Sequence, residues 1–248
     1  AISWLIVSNI VSRVLEARSR YGEIAVFLED VASPVCFFLE ETLNGLGIPT
    51  VHDDQHCSAI AFCAGLVNAL AYAGKDIGDA RVVLLGPGSA GVPTAELAHA
   101  LMRRNGGTGE LAVFDSRGKL TRSRLESRGF LSTESRKAGL ARLVDPRGMQ
   151  ADEPLEETLA GADALITLTT PDAYKGREQM LARMNDRAVL LLCENPRAAF
   201  DPEAASRLPN VALTAIGNFG SPGYAKTLLT VAKRGDPKLP IAVNNVFA

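Results

Sequence analysis

The stretch "ARVVLLGPGSAGVPTAELAHALMRR", residues 80–104, constrains this 248-residue chain more than any other. An apolar run enters a glycine-rich turn, and apolar residues at helical spacing leave it. Such a strand, turn and helix cannot bury both apolar faces alone and needs partners of the same kind. The chain supplies them: "GELAVFDSRG", "ADALITLTTP", "AVLLLCENP" and "NVALTAIGN" read as further strands, with helical patterns such as "PLEETLAG" and "DPEAASRL" between them. Strands this continuously apolar belong to a parallel sheet covered on both faces. The fold class expected is therefore α/β, a doubly wound parallel sheet.

Gly86, Gly88 and Gly91 in "LLGPGSAG" have the G-x-G-x-x-G spacing in the context it requires, after a strand and at the start of a helix. The first glycine permits a tight turn, the second lets a pyrophosphate approach the backbone, and the third lets helix and strand pack closely. Gly86, Gly88, Ser89, Ala90 and Gly91 are thus the expected cofactor cradle of a Rossmann-like sheet, with the helix N-terminus offering N–H groups to phosphate. Asp115, ending "LAVFD", stands where a carboxylate accepts hydrogen bonds from the adenine ribose. It favours NAD. Arg117 and Lys119 follow closely and keep NADP open.

Ahead of this unit lie a helix, "AISWLIVSNIVSRVLEARSRYG", a short strand, "EIAVFLED", and a second helix, "SPVCFFLEETLNGLGIP", stopped by Gly47 and Pro49. The helix "SAIAFCAGLVNALAYAGK" follows, apolar over most of its surface, which implies burial on more than one side. Glu29 and Asp30 end the strand, and Asp53 and Asp54 open the next element. If the two strand ends are neighbours, these carboxylates converge, and converging carboxylates call for a cation or a shared proton. Oxygen ligands suit Mg²⁺ or Mn²⁺. The plain alternative is an Asp that caps a helix.

Composition narrows the function class. With 47% hydrophobic residues the chain can bury a large core, and a net charge of −2 gives no bulk attraction for nucleic acid or an anionic membrane. The locally basic "RGKLTRSRLESRG" reads as a solvated face, and residues 121–154 as helix and loop at the edge of the fold. No apolar run is long enough to span a bilayer. The four cysteines, Cys36, Cys57, Cys63 and Cys193, lack C-x-x-C spacing and sit mostly in apolar runs, which fits reduced thiols in the cytoplasm.

The order of "FLEDVASP", "IPTVHDDQHCSAI", "GLVNALAYAGKDIGDARVVLLGPGSAG", "FDSRG", "LEETLAGADALI", "ENPRAAFDPEAA" and "VNNV" resembles the malic enzyme family over nearly the whole chain. That resemblance implies oxidation of malate, or a related 2-hydroxy acid, with NAD(P), and decarboxylation to pyruvate, using Mg²⁺ or Mn²⁺. By the same match Glu29, Asp30 and Asp54 correspond to metal ligands, and Asp53 to the acid that assists the catalytic base. Asn195, Asn244 and Asn245 correspond to asparagines of the nicotinamide and substrate pocket. Residues 1–53 would then be part of a substrate and metal domain, 54–243 the dinucleotide domain, and 244–248 a return into the first. A homo-oligomer is compatible with this.

The match departs from the family in three places. The lysine and tyrosine that act as base and acid have no counterpart here, so the chain reads as cut from something longer and is expected to be inactive alone, its site completed by an upstream segment or a partner chain. Cys57 and Ser58 stand where the family carries glycine and threonine. The stretch "SPGYAKTLLTVAKRGDPKLPIA" is longer than expected, and its Tyr224 and Lys226 read as an ordinary packing helix. Two other functions compete: an inactive malic-enzyme-like module kept for structure or interaction, and a different reductase chemistry that would not need the acidic set.

Overall fold

A computed structural model of the chain describes residues 2–29, 31, 35–104, 106–126 and 132–217. Helix α1 (Ile2–Tyr21) leads to β1 (Val26–Leu28), α2 (Val35–Gly45) and β2 (Thr50–His52). The two short strands pair in parallel, with Val26 opposite Thr50 and Leu28 opposite His52. Val7, Leu28 and Leu39 form a small core beneath α1. The condition set by the sequence is met: the strand ending in Glu29 lies beside the strand that runs into Asp53.

Helix α3 (Asp53–Tyr72) follows β2 directly, and then come β3 (Arg81–Leu85), α4 (Gly91–Arg103), β4 (Glu110–Asp115) and the two-residue β5 (Gly118–Lys119). Two helices, α5 (Arg122–Glu126) and α6 (Ser132–Val144), are followed by α7 (Leu155–Thr158) and β6 (Ala164–Thr167). A 3-10 helix (Glu178–Arg183), β7 (Ala188–Leu192), α8 (Pro202–Ser206) and β8 (Val211–Ile216) complete the described chain. The six-stranded sheet has the order β5-β4-β3-β6-β7-β8, parallel except for the β4 and β5 pair. From β3 the chain winds outward through β4, and from β6 it winds the other way through β7 and β8. The reversal falls between β3 and β6.

Strand residues alternate between two cores. Val82 and Leu84 join Leu66, Leu70, Val92, Ala98 and Leu140 on the face covered by α3, α4 and α6. Val83 and Leu85 join Leu159, Leu181, Phe200 and Ala205 on the other. Burial on both sides is the reason the strands carry unbroken apolar runs instead of alternation. Residues 121–154 contribute more than an edge, because Leu140 and Ala141 of α6 are fully enclosed in the first core. Helix α3 departs from expectation in the other sense: Ile60 and Val67, two turns apart on one stripe, are exposed. Burial raises the thiol pKa of Cys36 to about 11 and of Cys63 to about 12, so both are inert thiols. Among the described residues no helix is long and apolar enough to cross a membrane.

Asp163, just before β6, locks the strand starts together. Its Oδ1 accepts from Lys75 Nζ at 2.7 Å and from Asn185 Nδ2 at 2.9 Å, and its Oδ2 accepts from the Arg81 N–H at 2.8 Å. Burial alone would raise this carboxyl, but the three donors together hold it below its ordinary value. A depressed folded pKa stabilises the fold at any pH above the unfolded value of about 3.9, and that stability is lost as pH falls through the folded value. Replacing Asp163 with Asn is expected to cost about 1–3 kcal/mol at neutral pH in urea denaturation. The gap between variant and native protein should shrink below about pH 4.

Candidate functional site

The winding reversal opens a cleft beyond the C-terminal ends of β3 and β6, the place where open α/β sheets bind ligands. Its floor is the glycine turn. Gly86 has φ +93°, and a Cβ there would stand 2.2 Å from the Leu168 carbonyl oxygen. At Gly91 a Cβ would stand 2.0 Å from the Gly86 carbonyl oxygen. Both positions are closed to any side chain. Gly88 differs: nothing lies within 4 Å of where its Cβ would be. That position is sterically open, which a cradle for a pyrophosphate requires.

The cleft holds about 600 Å³, with Gly86, Gly88, Asp115, Lys137, Thr169 and Tyr174 among its walls. It continues into a bay of about 410 Å³ bounded by Ser116, Leu155, Glu156 and Arg177. Tyr174 stacks on Phe200 at 5.2 Å between ring centroids, and the Arg177 guanidinium lies 5.6 Å from the Tyr174 ring and pairs with Glu156. A flat aromatic wall with a cation on it suits a planar base.

Asp115 is where the sequence placed it, at the end of β4 in the cleft, but it is already engaged. Its Oδ1 accepts from the Arg117 N–H and from Arg124 Nη1, each at 2.9 Å, and its Oδ2 lies 3.6 Å from Lys137 Nζ. Burial pushes its pKa up, yet Arg124, Arg117 and Lys137 outweigh that and hold it below the ordinary range. Lys119 is buried and its Nζ lies 3.5 Å from Glu153.

Glu194, two residues after the fully buried end of β7, is the buried carboxylate that the sequence reading passed over. It accepts from Thr167 Oγ1 at 2.9 Å, the Thr169 N–H at 2.9 Å, Thr169 Oγ1 at 3.0 Å and the Ala199 N–H at 3.0 Å. The loop leaving β6, which forms the cleft wall, is thereby tied to the loop leaving β7. Its signal was present: one carboxylate closing an all-apolar run in "LLLCENP". Asn195 follows, exposed at the exit of β7. Lys137, Arg124, Tyr174 and Arg177 had no such signal, because only the tertiary fold brings them to the cleft.

At the other sheet, Asp53 and Asp54 form the first turn of α3, whose N-cap position is His52, and no side chain caps that helix. The carboxylates are therefore not serving as caps. His52 is fully buried, with Nε2 3.2 Å from the Val31 carbonyl oxygen and 3.9 Å from Asp54 Oδ2, and its Nδ1 has no hydrogen-bond partner. The Cys57 thiol donates to Asp53, and this contact raises its pKa, so Cys57 is held as the thiol. His56 Nε2 and Gln55 Nε2 meet Glu40 of α2 at 2.6 and 2.9 Å, a bridge between helices. Glu29 is exposed at the end of β1. Among the described residues no three His, Cys, Asp or Glu side chains stand close enough to hold a metal ion. Asp30, Asn244, Asn245, Tyr224 and Lys226 lie outside the described residues.

No family model matches the chain. Curated proteins do: the NADP-dependent malic enzyme of Halomonas elongata is 32% identical over 82% of this chain, and the NAD-dependent malic enzyme of Geobacillus stearothermophilus 30% identical over 82%. The curated homologues are malic enzymes. Solved malic enzymes share the fold as well. The NAD-dependent malic enzyme of Thermotoga maritima superposes with a TM-score of 0.72 at 28% identity, covering 87% of this chain and 53% of that one. The Entamoeba histolytica malic enzyme gives 0.71 at 26%, covering 87% and 43%. The chain spans 44% of the Halomonas protein and 39% of the Geobacillus protein, so the likeness to malic enzymes concerns less than half of those proteins.

The glycines separate packing from binding. Gly86→Ala is expected to cost about 3 kcal/mol or more in urea denaturation, since a Cβ would meet backbone and the φ is left-handed. Gly88→Ala should leave stability within about 1 kcal/mol of the native protein.

Proposed function

We propose that this chain is the dinucleotide-binding part of a malic-enzyme-type oxidoreductase, one that oxidises malate or a related 2-hydroxy acid with NAD(P) and releases CO₂. The observation that carries the reading is the parallel pairing of β1 with β2, Leu28 opposite His52, on a chain that also holds the glycine cradle. A simple reductase needs the cradle alone. One of the malic-enzyme type also uses a cation, and the paired strands set the end of β1, where Glu29 follows, beside the start of α3 with its Asp53 and Asp54.

The donor chemistry of that edge fits Mg²⁺ or Mn²⁺, because carboxylate oxygens are the ligands these ions favour. Glu29, Asp30 and Asp54 would hold the ion. When bound, the ion supplies a positive charge that acidifies the substrate hydroxyl and stabilises the enolate left after CO₂ departs, while the dinucleotide supplies the hydride acceptor. The chain's own part is positioning. The backbone from Gly86 to Gly91 and the start of α4 bind pyrophosphate. Glu194 holds the Thr169 loop as one wall, and Asp53, which accepts from the Cys57 thiol, would orient a base and its proton. Asn195, Asn244 and Asn245 would line the nicotinamide and substrate pocket. Because the curated relatives extend well beyond the matched part, we assign the remaining proton-moving groups to an upstream segment or to a partner chain. We place the protein in the cytoplasm, in keeping with its free cysteines.

Thermal unfolding with Mn²⁺ tests the acidic edge. An ion present at 100 times its Kd stabilises by about 2.7 kcal/mol, so the melting temperature of the native chain should rise by several degrees. Asp54→Ala should abolish the rise. An Mn²⁺ shift that survives this variant would place the ion elsewhere, and NAD(P) binding without any Mn²⁺ effect would favour the module without decarboxylase chemistry.

A further inference from the structure

We propose that His52 is a positioning residue for the cation: it pins both ends of the short span that carries Glu29 and so holds that carboxylate beside the start of α3. The proposal rests on the cation reading above. The first pin is backbone, because Leu28, the last residue of β1, stands opposite His52 in the parallel register. The second is the side chain. Its Nε2 lies 3.2 Å from the Val31 carbonyl oxygen, and a carbonyl can only accept, so Nε2 carries the proton and donates it. Residues 29 and 30 alone lie between Leu28 and Val31, and Asp53 and Asp54 follow His52 directly as the first turn of α3. One residue thus stands at the root of both acidic groups.

Val31 is a firm anchor for such a pin. Its side chain packs against the main core beneath α3, α4 and α6 and also against the small core beneath α1. Carboxylates gathered around an ion repel one another and lose their freedom when it binds, so a span already held in place binds it more tightly. The other ring nitrogen argues that His52 is present for this bond. His52 is fully buried and its Nδ1 has no hydrogen-bond partner, and a buried polar atom left unpaired costs stability. A leucine or phenylalanine would carry no such orphan but could not donate to Val31. Asp54 Oδ2, 3.9 Å from Nε2, is too distant to share the proton, so His52 does not take up the carboxylate it sets in place.

Calorimetric titration of the full chain with Mn²⁺, below the melting temperature of every variant, tests this directly. His52→Leu and His52→Phe remove the donor and should weaken Mn²⁺ binding about 10- to 100-fold, the usual effect of losing a group that orients metal ligands. His52→Gln, whose amide N–H can reach the same carbonyl, should bind close to the native affinity. Affinity for NAD⁺ should stay unchanged in all three, since the glycine cradle belongs to the other sheet. Melting curves without metal check that each variant is folded. Native-like Mn²⁺ affinity in folded His52→Leu or His52→Phe would overturn the proposal and leave the cation reading intact. So would a His52→Gln that falls as far as the other two, because ring packing and not the donor would then be at work. Failure of the native chain to bind Mn²⁺ would overturn the cation reading and the proposal with it.

Discussion

The contact between the Gly86 turn and the Leu168 carbonyl governs most of what surrounds it. A Cβ at Gly86 would lie 2.2 Å from that oxygen, so the exit of β3 and the exit of β6 touch backbone to backbone. With no side chain between them, β3 and β6 can be neighbours in the sheet up to Leu85 and Thr167 and diverge only at their ends. The divergence makes the cleft. Gly91, closed against the Gly86 carbonyl, then brings α4 down over β3, and the apolar face of that helix completes one of the two cores.

Two buried carboxylates sit at strand ends around the cleft, and they are satisfied in different ways. Glu194 is held by hydroxyls and backbone N–H groups, which spread its charge over neutral donors and fix two loops. Asp115 is held largely by cations, which fixes less backbone but sets the local potential. The first arrangement gives the wall its shape.

The fold was legible because its signal is repeated: every central strand is an apolar run, and both faces are buried for the physical reason that produces such runs. The adjacency of Glu29 to the start of α3 was legible only conditionally, since a sequence does not state which strands pair, and β1 and β2 are three residues each. Asp115 was found by position but its partners were not. Lys137 comes from α6, a weakly apolar helix in a stretch whose route no local pattern fixes, and its arrival beside Asp115 is a product of Leu140 and Ala141 seeking the core. The exposed stripe of Ile60 and Val67, on a helix buried elsewhere at both Ala61 and Leu70, carried no signal of its own. Hydrophobicity on a helix says that burial is favourable, not that a neighbour is present to provide it.

Gly88 has a consequence for how such a protein changes over generations. The atoms that hold the sheet exits together belong to Gly86, Gly91, Leu168 and Glu194, whereas the open space belongs to Gly88. Steric closure and open space thus fall on separate residues. A lineage carrying this fold is free to vary at the open rim, while the turn beneath stays under strict steric constraint.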